Sequence, residues 1–155
     1  MTPDYTKAFN AARDVISDYS SRTLPVDIKE IIKPYKNLRI STYSDLIIKS
    51  GLTKSELNSL VESDLGLIIR SGERHIIFYN DESKNPYLNR FTIAHELGHF
   101  FLHHLNGVKI SDALSEIHHQ VLEKEANCFA RNLLAPIGLV KRVLSDLTIC
   151  EENIN

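Results

Sequence analysis

The sequence predicts an α+β fold, with a small antiparallel or mixed sheet packed on a helical core. Three observations carry that prediction. Apolar residues recur at helical spacing over residues 4–19, 90–104, 122–134 and 139–147. Short alternating or apolar runs fall at 38–43, 67–70 and 75–79, enough for a small sheet and no more. The chain has 155 residues, of which 43% are hydrophobic and 25% charged. That composition suits one domain that buries about two thirds of its unfolded surface. The expected organisation is therefore a single domain over residues 1–155, with a core from about 25 to 147 preceded by a packing helix within 1–24.

Each element has a local reason. After Pro3, residues Ala8, Ala11, Ala12, Val15, Ile16 and Tyr19 form one helical stripe with no visible chemistry. Pro25 can open a short helix that runs through Ile32, and Pro34 stops it. Leu38 to Tyr43 alternates and reads as a strand, whereas Ser44 to Ser50 is ambiguous. Thr53 and Glu56 have capping-box spacing, which starts a helix that should reach about Glu62, before Gly66. Leu67–Arg70 and His75–Tyr79 flank a Ser71-Gly72-Glu73 turn and read as a β-hairpin, with His75 on the strand surface. Asp81 to Asn89 is a polar connection into the next helix. Asn106 to Glu116 has no regular period and reads as a loop able to move over whatever lies between the helices on either side. Leu139 to Leu147 closes the fold as an amphipathic helix, followed by a frayed tail.

The chemistry concentrates in Arg90 to His104, RFTIAHELGHFFLHH. His95, Glu96 and His99 form an H-E-x-x-H pattern. On a helix, a rise of about 1.5 Å per residue stacks the two imidazoles on one face, roughly 6 Å apart along the axis, and both can lean toward a single divalent ion. Glu96 flanks that ion and can act on a water as a general base without binding the metal itself. Phe91, Ile93, Ala94, Leu97, Phe100, Phe101 and Leu102 make the rest of the helix apolar, so it should be buried. Two histidines and a glutamate in such a setting need a partner, and a metal supplies one.

A third ligand must come from elsewhere. A metzincin would continue with glycine and histidine where this chain has Leu102 and Leu105, which excludes that class. His103 lies too far along the axis from His95 to share an ion and suits the helix C-terminus, and His104 is a weaker candidate still. Leu122 to Pro136 reads as a second packed helix through Leu122, Ala126, Phe129, Ala130 and Leu133. Two glutamates border its apolar face, Glu123 and Glu125, and periodicity does not choose between them. Asn127 lies four residues after Glu123, where its amide could orient a ligating histidine through the ring nitrogen that faces away from the metal, and this favours Glu123. His118 and His119, just before, could stabilise a transition state or be exposed polar residues, and Tyr79 or Tyr87 could polarise a carbonyl.

FTIAHELGHFFLHH followed by EKEANCFARNLLAP resembles the ImmA/IrrE family of bacterial and phage zinc metallo-endopeptidases. The resemblance covers roughly residues 25 to 140. It departs from the family pattern at Ala135, where a methionine is usual, and at Arg131-Asn132. It implies a zincin-like fold, zinc as cofactor, His95, His99 and Glu123 as metal ligands, and Glu96 as catalytic base. In the zincin arrangement a strand edge beside the metal holds an extended substrate. By that analogy the strand around Ile77 and Tyr79 is the expected substrate shelf. Relatives cleave or antagonise helix-turn-helix repressors, so the resemblance implies such a repressor as substrate or partner and a role in transcriptional regulation. The alternative keeps the zinc without the enzymology: a metal-stabilised interaction module that acts as an antirepressor by binding.

Composition narrows the setting. The formal net charge is −2 and no basic stripe is present, which argues against direct nucleic-acid binding. No apolar run is long enough to span a bilayer, and MTPDYTKAF carries an acid where a secretory signal would be apolar. Two cysteines, Cys128 and Cys150, suit a reducing compartment, with Cys128 as a small buried hydrophobe. The expected location is the cytoplasm.

Overall fold

Short polar side chains at the start of apolar-periodic stretches set most of the helix ends. The computed structural model describes residues 2–61, 63, 65–105 and 112–152. The first helix, α1 (Tyr5–Ser17), is capped by Asp4, whose carboxylate accepts from the Lys7 amide. Asp27 caps α2 (Ile28–Ile32) by accepting from Lys29 and Glu30. The expected start at Pro25 is therefore three residues early, because the orphan amides of the first turn find their acceptor in Asp27.

The ambiguous stretch after β1 (Leu38–Thr42) is a helix, α3 (Tyr43–Ser50). Thr42 caps its start, and Gly51, at φ 72°, ends it in the left-handed region that glycine adopts without strain. The predicted capping box is present at α4 (Lys54–Leu60), where the Thr53 hydroxyl accepts from the Glu56 amide and the Glu56 carboxylate accepts from Thr53 N–H. Thr53→Ala should lower unfolding free energy by about 1 kcal/mol, measured by chemical denaturation. No change in the denaturation midpoint would show that the box contributes nothing.

The sheet has the order β1-β3-β2. β2 (Gly66–Ser71) and β3 (Arg74–Tyr79) are the predicted antiparallel hairpin, with Gly72 at φ 61° in its turn. β1 runs parallel to β3, from Leu38 opposite His75 to Thr42 opposite Tyr79. A parallel pair requires a crossover, and α3 and α4 provide it. This crossover places β3 in the middle of a mixed sheet, hydrogen-bonded along both sides.

Alternation along the strands feeds two apolar clusters, one on each face. Ile77 points with Leu38, Ile40 and Ile68 into the main core. Phe78 points the other way with Ile76 and Leu67, against Tyr43 and Leu57 of the crossover helices. The main core lies between α1, α5 (Pro86–Phe101), α6 (Asp112–Leu134) and the sheet. Leu97, Phe129 and Leu133 are fully buried there, and Ala8 and Ala12 let α1 lie closely on α6.

Asn85 caps α5 and Pro86 occupies its first turn, so this helix starts before the predicted Arg90. It also stops earlier. His103 stands at φ 61°, and the His104 amide turns back to the His99 carbonyl at 3.0 Å. The second helix begins at Asp112 rather than at Leu122, which puts His118 and His119 on the helix itself rather than on the approach to it. The part of the predicted 106–116 loop at 106–111 lies outside the described residues, as do Glu62, the Cys150 side chain and the last three residues. The final helix is α7 (Ile137–Glu152). Among the described residues no helix is long and apolar enough to cross a membrane.

Candidate metal centre

α5 and α6 come together at a glycine. A Cβ on Gly98 would lie 2.9 Å from the Ala126 Cα and 3.0 Å from its carbonyl oxygen, closer than side-chain carbons pack. Glycine facing alanine therefore lets the two backbones touch, and the polar residues one turn away on each helix converge. Gly66 does the same between β2 and α5, where an added Cβ would meet the Thr92 methyl at 2.4 Å and the Phe78 carbonyl at 2.9 Å.

Three side chains meet at this crossing. His95 Nε2 lies 3.1 Å from His99 Nε2 and 3.1 Å from Glu123 Oε2. His99 Nε2 lies 3.2 Å from Glu123 Oε1. A tetrahedral ion with bonds of about 2 Å separates its ligand atoms by roughly 3.3 Å, so this triangle has the size a small divalent cation needs. Among the described residues, His95, His99 and Glu123 are the group whose donor atoms fall within 4.8 Å of one another. The His95 and His99 side chains are 15% and 12% exposed and Glu123 36%, which leaves one side of the triangle open to solvent. Two imidazole nitrogens and a carboxylate oxygen with an open position are the donor set of a catalytic rather than a closed structural site.

The glutamate ambiguity resolves in space. Glu123 faces the histidines, and Glu125, two residues further round the helix, is buried on another side. There it meets His104 Nε2 at 3.1 Å and accepts the Asp4 amide at 2.7 Å. Asn127 stands where the helical spacing put it: its Oδ1 is 3.0 Å from His95 Nδ1, leaving Nε2 to face the triangle. Sequence reasoning gave His104 little weight, yet it reaches the back of His99, Nδ1 to Nδ1, at 3.1 Å. The pattern of charged and apolar residues held no signal for this, because the contact depends on the left-handed turn at His103.

Electrostatics follow the same layout. Burial pushes His95 toward the neutral form, and Glu123, Glu96 and Asn127 together outweigh it, so its pKa is raised. The two histidines hold the Glu123 carboxyl well below the usual carboxylate range. Glu96 is only 8% exposed, and burial raises its pKa against the opposing pull of His99 and His95. Burial and the neighbouring His99 push His104 down to about 4.

The triangle lies in a cleft of about 770 Å³. One wall is β2 with the residues before it, Leu65, Gly66, Leu67 and Ile68, and the opposite wall carries Glu123, Asn127 and His119. His119 Nε2 is 3.7 Å from Glu123 Oε1, with its side chain 59% exposed at the rim. The expected substrate shelf is corrected here. β3 is the central strand, its Ile77 is fully buried, and neither Ile77 nor Tyr79 lines the cleft; among the described residues the unpaired sheet edge beside the triangle belongs to β2. Tyr87, 81% exposed, is also absent from the lining. His75 packs edge-on against Phe100 at 5.0 Å, away from the cluster.

Comparison with known proteins agrees with this geometry. Residues 49–147 match the family model of the IrrE N-terminal-like domain, peptidase M78. The chain is 28% identical over 135 residues to Metallopeptidase ImmA of Bacillus subtilis (strain 168), covering 84% of this chain and 73% of that relative. The matched family segment spans more than half of the sequence and contains His95, Glu96, His99, Glu123 and Asn127, so the chain, an α+β protein of zincin-like fold, belongs to the ImmA/IrrE family of metallopeptidases.

Proposed function

We propose that this chain is a zinc-dependent endopeptidase of the HExxH, gluzincin-like type that cuts a helix-turn-helix transcriptional repressor at one site in the cytoplasm. The observation that carries the reading is the triangle of His95 Nε2, His99 Nε2 and the Glu123 carboxylate, with edges of 3.1, 3.1 and 3.2 Å beside the buried Glu96. His95, His99 and Glu123 would hold the zinc, which would supply Lewis acidity to acidify a water and polarise the scissile carbonyl.

The chain's own groups do the rest. Glu96 takes the proton from that water and later hands it to the departing amine. A buried carboxylate with a raised pKa is a stronger base than an exposed one, which favours this role. Asn127 accepts the His95 Nδ1 proton and so presents the Nε2 lone pair inward. The free edge of β2 offers backbone N–H and C=O groups to an extended peptide, which would add as a further strand, while the open cleft leaves room for alternate side chains. His119, on the rim opposite, is the group best placed to donate to a developing oxyanion.

The test is incubation of the zinc-loaded protein with helix-turn-helix repressors from the same genome, beginning with any encoded beside it. A single cut, stopped by a chelator and restored by zinc, is the expected result. An intact repressor at every zinc loading would refute the substrate. Derepression in cells by a Glu96→Gln protein would favour the binding-only antirepressor, which has no use for a buried base.

A further inference from the structure

We propose that His104 and Glu125 form a positioning relay that fixes the tautomer of His99, anchored on a backbone amide of α1 outside the two metal-bearing helices. The inference rests on the reading of His95, His99 and Glu123 as metal ligands.

The polarity of the chain of contacts follows from proton counting. A ligating His99 must direct a lone pair from Nε2, so its single proton sits on Nδ1. The atom 3.1 Å behind it is His104 Nδ1, which must then be the acceptor, placing the His104 proton on Nε2. Nε2 is 3.1 Å from Glu125 Oε2, an acceptor only. The other carboxylate oxygen, Oε1, accepts the Asp4 amide at 2.7 Å. Each donor in the series thus has one acceptor: the two imidazole bonds run outward from the metal site to Glu125, and the Asp4 amide donates to that carboxylate from the far side. Reversing it would put a proton on His99 Nε2, where it would block ligation.

The surroundings make the relay specific. The side chains of His104 and Glu125 are 3% and 8% exposed, so water cannot substitute for either partner. His104 is brought behind His99 by the left-handed residue His103 and the 3.0 Å bond from the His104 amide to the His99 carbonyl. The start of α1 holds the relay at two points: its N-cap Asp4 donates its amide to Glu125, and Lys7 Nζ donates at 3.2 Å to the Leu102 carbonyl, just before the turn that carries His104. The two ligating histidines are therefore supported differently. His95 has a neutral amide behind it, whereas His99 has an imidazole backed by a carboxylate, which raises its strength as a donor.

The experiment compares zinc affinity, by competition with a chromophoric chelator, in the full chain and its variants. His104→Phe fills the volume without the hydrogen bonds and should bind zinc about 10–100-fold more weakly. His104→Gln can accept from His99 with its carbonyl and donate to Glu125 with its amide, so it should recover most of that loss. Nitrogen NMR of the zinc-loaded wild type should show His99 protonated at Nδ1 alone. Asp4→Pro removes the anchoring amide while Asp4→Ala keeps it, and only the proline variant should weaken zinc. Equal zinc affinity in His104→Phe and wild type, or a glutamine variant as weak as phenylalanine, would overturn the relay. Equal affinity in the two Asp4 variants would overturn its anchor. A wild type that binds no zinc would overturn the metal reading, and the relay with it.

Discussion

Glu96→Gln is expected to lose peptide cleavage by about 10²–10⁴-fold while retaining zinc, because an amide keeps the shape of the side chain but cannot take a proton. The same substitution should make the metal-free protein more stable at neutral pH. Burial raises the folded pKa of Glu96 above its ordinary value of 4.5, so the folded state holds the proton more tightly than the unfolded chain. Stability is then lost as pH rises from the unfolded pKa through the folded one, and at neutral pH the buried charge is a net cost. Glutamine removes it. Thermal melts of the two metal-free proteins at pH 7, alongside a cleavage assay, measure both effects. Wild-type cleavage by the variant would disprove the role of Glu96 as base, and a lower melting temperature would contradict its burial as a charge.

Glu123→Ala should abolish tight zinc binding. It removes one of three donors, so the loss should exceed the ~10–100-fold expected for an outer-sphere partner such as Glu125. Zinc stabilises the folded state by about 4 kcal/mol when its concentration is a thousand times the dissociation constant. The rise in melting temperature on adding zinc should therefore vanish in Glu123→Ala and survive, reduced, in Glu125→Gln. The opposite ranking would exchange the two glutamates. Without metal, Glu123 still matters: its carboxylate lies against both histidines, and its depressed pKa means that this contribution is present at neutral pH and is lost progressively as pH falls below the unfolded value of 4.5 toward the lower folded one.

Much of this was legible in the sequence because it is local. The H-E-x-x-H spacing, the capping box at Thr53 and Glu56, the hairpin turn at Gly72 and the Asn127 amide four residues after Glu123 each depend on one element's own geometry. What was not legible depends on how elements meet. Strands 38–42, 66–71 and 74–79 could be found from their pattern, but their order could not. The parallel pairing of β1 with β3 is what moves Tyr79 into the sheet interior and gives the cleft edge to β2. His104 and Glu125 went unread because a left-handed histidine at 103 and the approach of α1 bring them together, and neither leaves a periodic trace. The early start of α6 was legible and missed: Leu114, Ile117 and Val121 fall at helical spacing ahead of Leu122.

The backbone contact of Gly98 with Ala126 would govern how an ion held by the proposed ligands leaves. Donors on two different helices can be no steadier than the gap between them, and here that gap is a main-chain separation cushioned by nothing larger than the Ala126 methyl. Loss of zinc to a chelator should then report interhelical breathing directly. Pressure or heat would each register as a faster off-rate well before the fold gives way, whereas a methyl at residue 98 would force the two backbones apart.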